Sequence, residues 1–183
     1  LAGLTAWQAL VTKGNIKQGD KVLIHAGSGG VGTLAIQIAK HFGATVATTT
    51  SSKNIELVKS LGADLIIDYT TQSFEDKLSD YDLVFDMIGG DVLAKSFKVL
   101  KKGGTLISIK GQDTEDLAKK YGVNFEWFFM SPDGAMLTEL VTLISQGTIK
   151  TVIDSTYPME QASEAFGKLA EGRTKGKIVL TIK

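Results

Sequence analysis

The sequence predicts an α/β protein built on a doubly wound parallel sheet, and three observations carry that prediction. Short apolar runs alternate with amphipathic stretches of about ten residues, the pattern of strand–helix–strand crossovers. The runs show little polar alternation, as expected of strands covered on both faces. A cluster of glycines stands between the first run and the first amphipathic stretch.

The elements follow in order. Leu1 to Leu10 already reads as buried structure. Lys21-Val22-Leu23-Ile24-His25-Ala26 is the first strand. Val31, Leu34, Ala35, Ile38 and Phe42 recur at helical spacing, and Gly43 closes that helix. Thr45 to Thr49 is β-branched and predicts the second strand. Ile55, Leu57, Val58 and Leu61 mark a short helix ending at Gly62. Leu65-Ile66-Ile67 and Asp82 to Asp86 are the third and fourth strands. A helix around Val92 to Leu100 and a turn at Gly103-Gly104 lead into a fifth, Thr105 to Ile109. Val123 to Phe129 is an aromatic-rich sixth. Ser131-Pro132-Asp133 has the form of a helix opening, with serine as the N-cap and proline at the first helical position. Leu137, Leu140, Val141 and Ile144 line one face of that helix, and Gly147 ends it. Six strands complete a doubly wound sheet. The strand-like Val152 to Tyr157, helical Met159 to Leu169 and strand-like Lys177 to Ile182 therefore need another surface.

Composition narrows the function. Of 183 residues 43% are hydrophobic and 22% charged, and 20 basic residues balance 20 acidic ones. No net field draws the chain to nucleic acid or an anionic membrane. The longest uncharged run, Val22 to Ala39, is broken by glycines and makes a poor membrane span. There is no cysteine, so disulfides and thiolate zinc sites within the chain are excluded and a cytoplasmic home is expected. The apolar start at Leu1 suggests a piece of something longer.

Gly27-Ser28-Gly29-Gly30-Val31-Gly32 fits G-x-G-x-x-G between a buried strand and a helix, the setting that gives this pattern its meaning. In a Rossmann-type dinucleotide site Gly27 permits the turn, Gly29 lets the pyrophosphate approach backbone, and Gly32 packs helix against sheet. Helix amides and dipole then hold the phosphates. Sites for NAD carry an acid about 20 residues on, for the ribose hydroxyls. Here Thr48-Thr49-Thr50-Ser51-Ser52-Lys53 offers hydroxyls and an ammonium, with no carboxylate before Glu56. A 2′-phosphate accepts from such groups and is repelled by a carboxylate, which favours NADP. A serine and threonine run also caps the next helix, and the two readings are compatible.

With Leu4-Thr5-Ala6-Trp7, Leu23 to Gly32, Leu61-Gly62-Ala63-Asp64, Asp86-Met87-Ile88-Gly89-Gly90 and Gly172 to Leu180 in this order, the chain resembles the medium-chain dehydrogenase/reductase superfamily. It is most similar to the quinone oxidoreductase-like branch of the zinc-binding alcohol dehydrogenase family, over the C-terminal, cofactor-binding portion. The resemblance implies that Thr5 packs near the nicotinamide. It places Thr50, Ser51, Lys53 and Tyr69 at the 2′-phosphate, and Ile88, Ile109, Lys110 and Gly111 along the cofactor groove. Lys177 matches a basic position that approaches cofactor phosphate. It also implies a dinucleotide-binding domain over residues 1–147, with residues 148–183 returning to a catalytic domain absent from this chain. Sixth strands would pair about a two-fold axis, through residues 123–129, in a homodimer.

Several tempting residues have bland readings. His25, mid-strand among apolar neighbours, reads as a neutral core histidine, and His41 as a complement to its helix dipole. Asp86 reads as a loop organiser. Phe128-Phe129-Met130 could form a lip over the nicotinamide but reads first as core. Tyr81 and Tyr157 have no partner at catalytic spacing, no catalytic residue is identified, and no metal ligands are assigned. The expected activity is NADPH-dependent hydride transfer to a small quinone or α,β-unsaturated carbonyl. The alternatives are a fragment of a zinc-dependent alcohol dehydrogenase and an NADPH-binding module without catalysis.

Overall fold

The computed structural model describes residues 1–111 and 115–182. Helix α1 (Ala2–Trp7) runs without a break into a π-helical turn, Gln8–Lys13, and buries Leu4, Ala6, Trp7, Ala9 and Leu10. Strand β1 (Lys21–Ile24) leads into α2 (Gly32–His41), then β2 (Thr45–Thr50), α3 (Ile55–Ser60) and β3 (Leu65–Asp68). The second half holds β4 (Tyr81–Asp86), α4 (Gly90–Ser96), β5 (Leu100–Ser108), α5 (Glu115–Tyr121), β6 (Asn124–Trp127) and α6 (Gly134–Ser145).

These six strands form one sheet in the order β3-β2-β1-β4-β5-β6, every neighbouring pair parallel. The chain winds outward from β1 and then outward again from β4, so the winding reverses between two adjacent central strands. The crevice beyond their carboxyl ends is where such sheets receive ligands.

Burial explains why the strands lack polar alternation. Val22 and Ile24, Val46, Leu83 and Phe85, and Ile107 point to a core shared with Leu4, Trp7, Ile36 and Leu140. The intervening Leu23, Ala47, Val84 and Leu106 point to a second core with Phe74, Leu93 and Phe97. Successive residues of a strand face opposite sides, and both sides here are dry. Each fully buried large side chain contributes roughly 1.5–3 kcal/mol, so the double cover makes the sheet's centre its most stable part.

The expected elements recur with shifted ends, each for a local reason. The first strand stops at Ile24 because Ala26 takes a left-handed backbone, φ 51°. The fifth begins at Leu100 rather than Thr105, and its register against β4 shifts between Tyr81 and Leu83 to absorb Gly103-Gly104. Helix α4 gives way to a 3-10 turn at Phe97–Val99. Helix α6 is capped by Asp133, whose carboxylate accepts from Met136 N at 2.8 Å, and not by Ser131. The Gln8 side chain pairs with the Ser131 backbone, donating to Ser131 O at 2.7 Å and accepting from Ser131 N at 3.1 Å. Gln37 makes the same two-bond clamp on Lys150, so α6 is pinned at both approaches.

The remaining chain forms a parallel pair, β7 (Ile153–Pro158) and β8 (Lys177–Thr181), joined through α7 (Ala162–Ala170). It leaves Ile153, Met159, Phe166 and Leu169 exposed. Among the described residues no helix is long and apolar enough to cross a membrane.

Candidate cofactor site

The glycine loop leaves β1 in a space that admits no side chains at two points. A Cβ on Gly27 would lie 2.0 Å from Thr48 Oγ1, and one on Gly32 would lie 2.3 Å from Ala26 O. Both are contacts no side chain can make, so Gly27 and Gly32 are packing glycines. The turn that Gly27 was expected to permit is carried by Ala26 instead. Its left-handed backbone is held by two hydrogen bonds, Ala26 N to Thr49 Oγ1 (3.1 Å) and Gly29 N to Ala26 O (2.9 Å). Gly29 is also close-set, a Cβ there meeting Ala26 O at 3.2 Å, and it lines the cavity described below.

Beneath the loop His25 is fully buried, and its partners define its tautomer. Ser96 gives its hydroxyl proton to Val92 O (2.7 Å), so its oxygen accepts from His25 Nε2 (2.8 Å). Nδ1 then accepts from the Thr49 hydroxyl (3.1 Å). Burial lowers the imidazole pKa to about 4, against the opposing pull of the Asp86 and Glu75 carboxylates. The neutral core reading of His25 holds. Asp86 is the expected organiser. Its carboxylate accepts from Ile88 N, Gly89 N and the Ser108 hydroxyl, at 2.8 to 3.2 Å.

Where β1, β2 and β4 end, a cavity of about 780 Å³ opens. Ser28, Gly29, Thr50, Ser51, Lys53, Tyr69 and Ile88, drawn from four separate stretches, line it together. Thr50 Oγ1 donates to Ser28 Oγ at 3.0 Å, tying the end of β2 to the glycine loop. Asp68, at the end of β3, pairs in register with Thr50 at the end of β2. Ser52, together with the backbone and hydroxyl of Thr70, hydrogen-bonds its carboxylate and holds it below the usual range. That carboxylate does not line the cavity.

The far wall comes from Gly172 to Lys175. Gly176 N donates to Ser28 O at 2.9 Å, which fastens this segment to the glycine loop. Lys177 lies on the loop as well: a Cβ on Gly30 would meet its Cε and Nζ at 2.5 Å. Thr5, Ile109, Lys110 and Gly111 lie outside the cavity. Thr5 donates its hydroxyl to Leu1 O within α1, Ile109 packs on the core, Lys110 N binds Ser108 Oγ, and Gly111 faces the Trp127 indole. Phe128 is core, Phe129 is 82% exposed, and Met130 is half-buried between them and α6.

Among the wall residues given no role from the sequence are Asn54, Arg173, Thr174 and Lys175. The cluster Arg173-Thr174-Lys175-Gly176-Lys177 was a visible signal, since basic residues beside a strand suit an anion. Among the described residues Lys53, Arg173 and Lys175 have no ion pair, whereas the cavity's Lys95 is paired with Glu75 at 2.7 Å. Three free cations, a glycine cradle and a cluster of hydroxyls fit a phosphorylated dinucleotide. Among the described residues no group of His, Cys, Asp and Glu has the arrangement of a metal site.

Comparison with known proteins agrees with this geometry. A family model described as zinc-binding dehydrogenase matches residues 61–180. The chain is 40% identical to a 2-methylene-furan-3-one reductase of Solanum lycopersicum, across 98% of this chain and 45% of that protein. It is 39% identical to an Arabidopsis thaliana chloroplastic NADPH-dependent alkenal/one oxidoreductase, again across 98% and 45%. The structure of a quinone oxidoreductase from Coxiella burnetii superposes with a TM-score of 0.94 at 36% identity, covering 100% of this chain and 58% of that one. The chain thus spans about half the length of the relatives it matches.

Proposed function

The chain belongs to the zinc-binding dehydrogenase family, and on that premise we propose that it is the NADPH-binding portion of an oxidoreductase that reduces a small quinone or α,β-unsaturated carbonyl. One observation carries the cofactor choice. The end of β2 faces the glycine loop with Thr50, Ser51 and Lys53, the last without an ion pair among the described residues, and Asp68, which neighbours Thr50 across the sheet, is turned to Ser52 and Thr70. A 2′-phosphate brings close to two negative charges and strong acceptor oxygens, which these groups answer. The relatives whose names include NADPH and enone or furanone substrates support the same reading.

The dinucleotide, when bound, supplies the hydride. The chain's own share is to hold it. Loop amides at the start of α2 take the pyrophosphate, with Lys177 beside them. Tyr69 and Lys53 flank the 2′-phosphate, and Ile88 covers the base. Thr5, Ile109, Lys110 and Gly111, beyond the carboxyl end of β5, serve the nicotinamide half of the groove. Residues 1–147 act as the cofactor domain, and residues 148–183 join a catalytic domain in the longer enzyme. Because the relatives are about twice as long, the 183-residue chain binds NADPH without efficient turnover. Quinone-dependent NADPH oxidation by it stays near background, and robust steady-state turnover would contradict the domain assignment.

Ser51→Asp tests the cofactor reading. A carboxylate beside the 2′-phosphate should weaken NADPH binding by roughly 10- to 100-fold and leave NADH within about twofold. An equal loss of both cofactors would overturn it.

A further inference from the structure

Asn54 closes the 3-10 turn Ser52–Asn54 and is 9% exposed. Its amide nitrogen donates to Ser28 Oγ at 3.1 Å and to Ser51 Oγ at 3.5 Å. Its amide oxygen is buried and has no hydrogen-bond partner among the described residues, and Asn54 lines the cavity. A buried acceptor left unpaired is costly, and in a ligand cavity it marks the place of a donor on the ligand. The rest of this wall offers the opposite. Ser28 Oγ already accepts from Thr50 and Asn54, so its own proton is free to be donated, and Lys53 stands next in sequence. The ligand must therefore bring an anion and a hydrogen-bond donor close together.

We infer that Asn54 is a specificity-determining residue whose amide oxygen accepts the free 3′-hydroxyl of an adenosine ribose that carries phosphate on its 2′-oxygen. This rests on the dinucleotide reading above. The two groups sit on adjacent ribose carbons, as the acceptor of Asn54 and the cation of Lys53 sit on adjacent residues. The adenine amino group is too far from the ribose phosphate to serve both. An aspartate at this position would accept the same hydroxyl but repel the phosphate beside it. The neutral amide accepts without that repulsion. A site for a 2′-phosphorylated ribose thus keeps the hydroxyl recognition that acidic residues provide for NAD.

Calorimetric titration of the chain with adenosine 2′-monophosphate and with its 3′-deoxy analogue tests the assignment. The hydroxyl compound should bind about tenfold more tightly, the size of one well-made hydrogen bond to a buried acceptor. Asn54→Ala should bind the two within about twofold. Asn54→Asp should keep the preference for the hydroxyl while binding both phosphates more weakly than the unmodified chain does. Equal affinity of the unmodified chain for the two compounds overturns the role of Asn54 while the dinucleotide reading stands, and it needs no variant to fold. Failure of adenosine 2′-monophosphate to bind at all overturns both.

Discussion

At the scale of single residues, chemistry was legible where local pattern implied it and hidden where the fold created it. His25 was readable as a neutral core histidine because apolar residues flank it within one strand. Its hydrogen-bond chain through Thr49 and Ser96 was not, since those partners come from β2 and α4. That chain makes a pH prediction. The imidazole pKa is about 4 in the folded chain against 6.5 for an ordinary histidine. Between those values the unfolded chain binds the extra proton, so stability is whole above about pH 6.5 and declines as pH falls toward 4. The loss is about 3 kcal/mol over that window. Urea unfolding at pH 7 and pH 4.5 measures it, and His25→Gln should flatten the difference. An undiminished slope in the variant would mean that other groups cause it. Asn54, Arg173 and Lys175 were given no role from the sequence for a comparable reason. Asn54 reads locally as a helix-start residue, and only the folded chain brings it to one cavity with a segment more than a hundred residues away.

At the scale of elements, strands were easier to read than the boundaries between them. Leu23, Val84 and Leu106 declare a doubly covered sheet because hydrophobicity persists through both phases of the strand. The start of α6 lies two residues later than the serine suggested, because Asp133 supplies the cap while Gln8, far away in sequence, holds the Ser131 backbone. Helix α5 was missed since its seven residues offer only Leu117, Ala118 and Tyr121 to the core. Strand β6 has a consequence of its own. It is an edge, paired only with β5 among the described strands. Phe125 turns inward onto Phe97, while Trp127 and Phe129, and on α6 Leu137 and Val141, are exposed. Open strand edges are normally managed or covered, and a second copy meeting β6 about a two-fold axis would cover the strand edge. The expected result in sedimentation is a dimer at micromolar concentration, shifted toward monomer by Phe129→Glu. A monomer at high micromolar concentration, unaffected by the substitution, would contradict the pairing.

At the scale of the whole molecule, the reversal of winding between β1 and β4 sets where a ligand goes, and the segment after α6 completes that place. Gly176 fastens to Ser28, and Arg173 and Lys175 line one cavity with Lys53. The doubly wound order followed from the alternation of elements and from the glycine loop. The tail's return to the loop did not, because no local pattern encodes which surface a strand pair will meet. The central proposal is that this site suits a phosphorylated ribose: Lys53, Arg173 and Lys175, without ion pairs among the described residues, line one cavity with hydroxyls and a neutral amide, and Asp68 is occupied elsewhere. Each charge-assisted hydrogen bond to the added phosphate contributes roughly 1.5–3 kcal/mol. One or two of them, discounted for the exposure of Lys53, correspond to a preference on the order of 10- to 100-fold. The direct measurement is the ratio of the unmodified chain's dissociation constants for NADH and NADPH, taken at low and at high salt. The account predicts a ratio in that range that shrinks as salt screens the cations, whereas equal affinity for the two cofactors would contradict it.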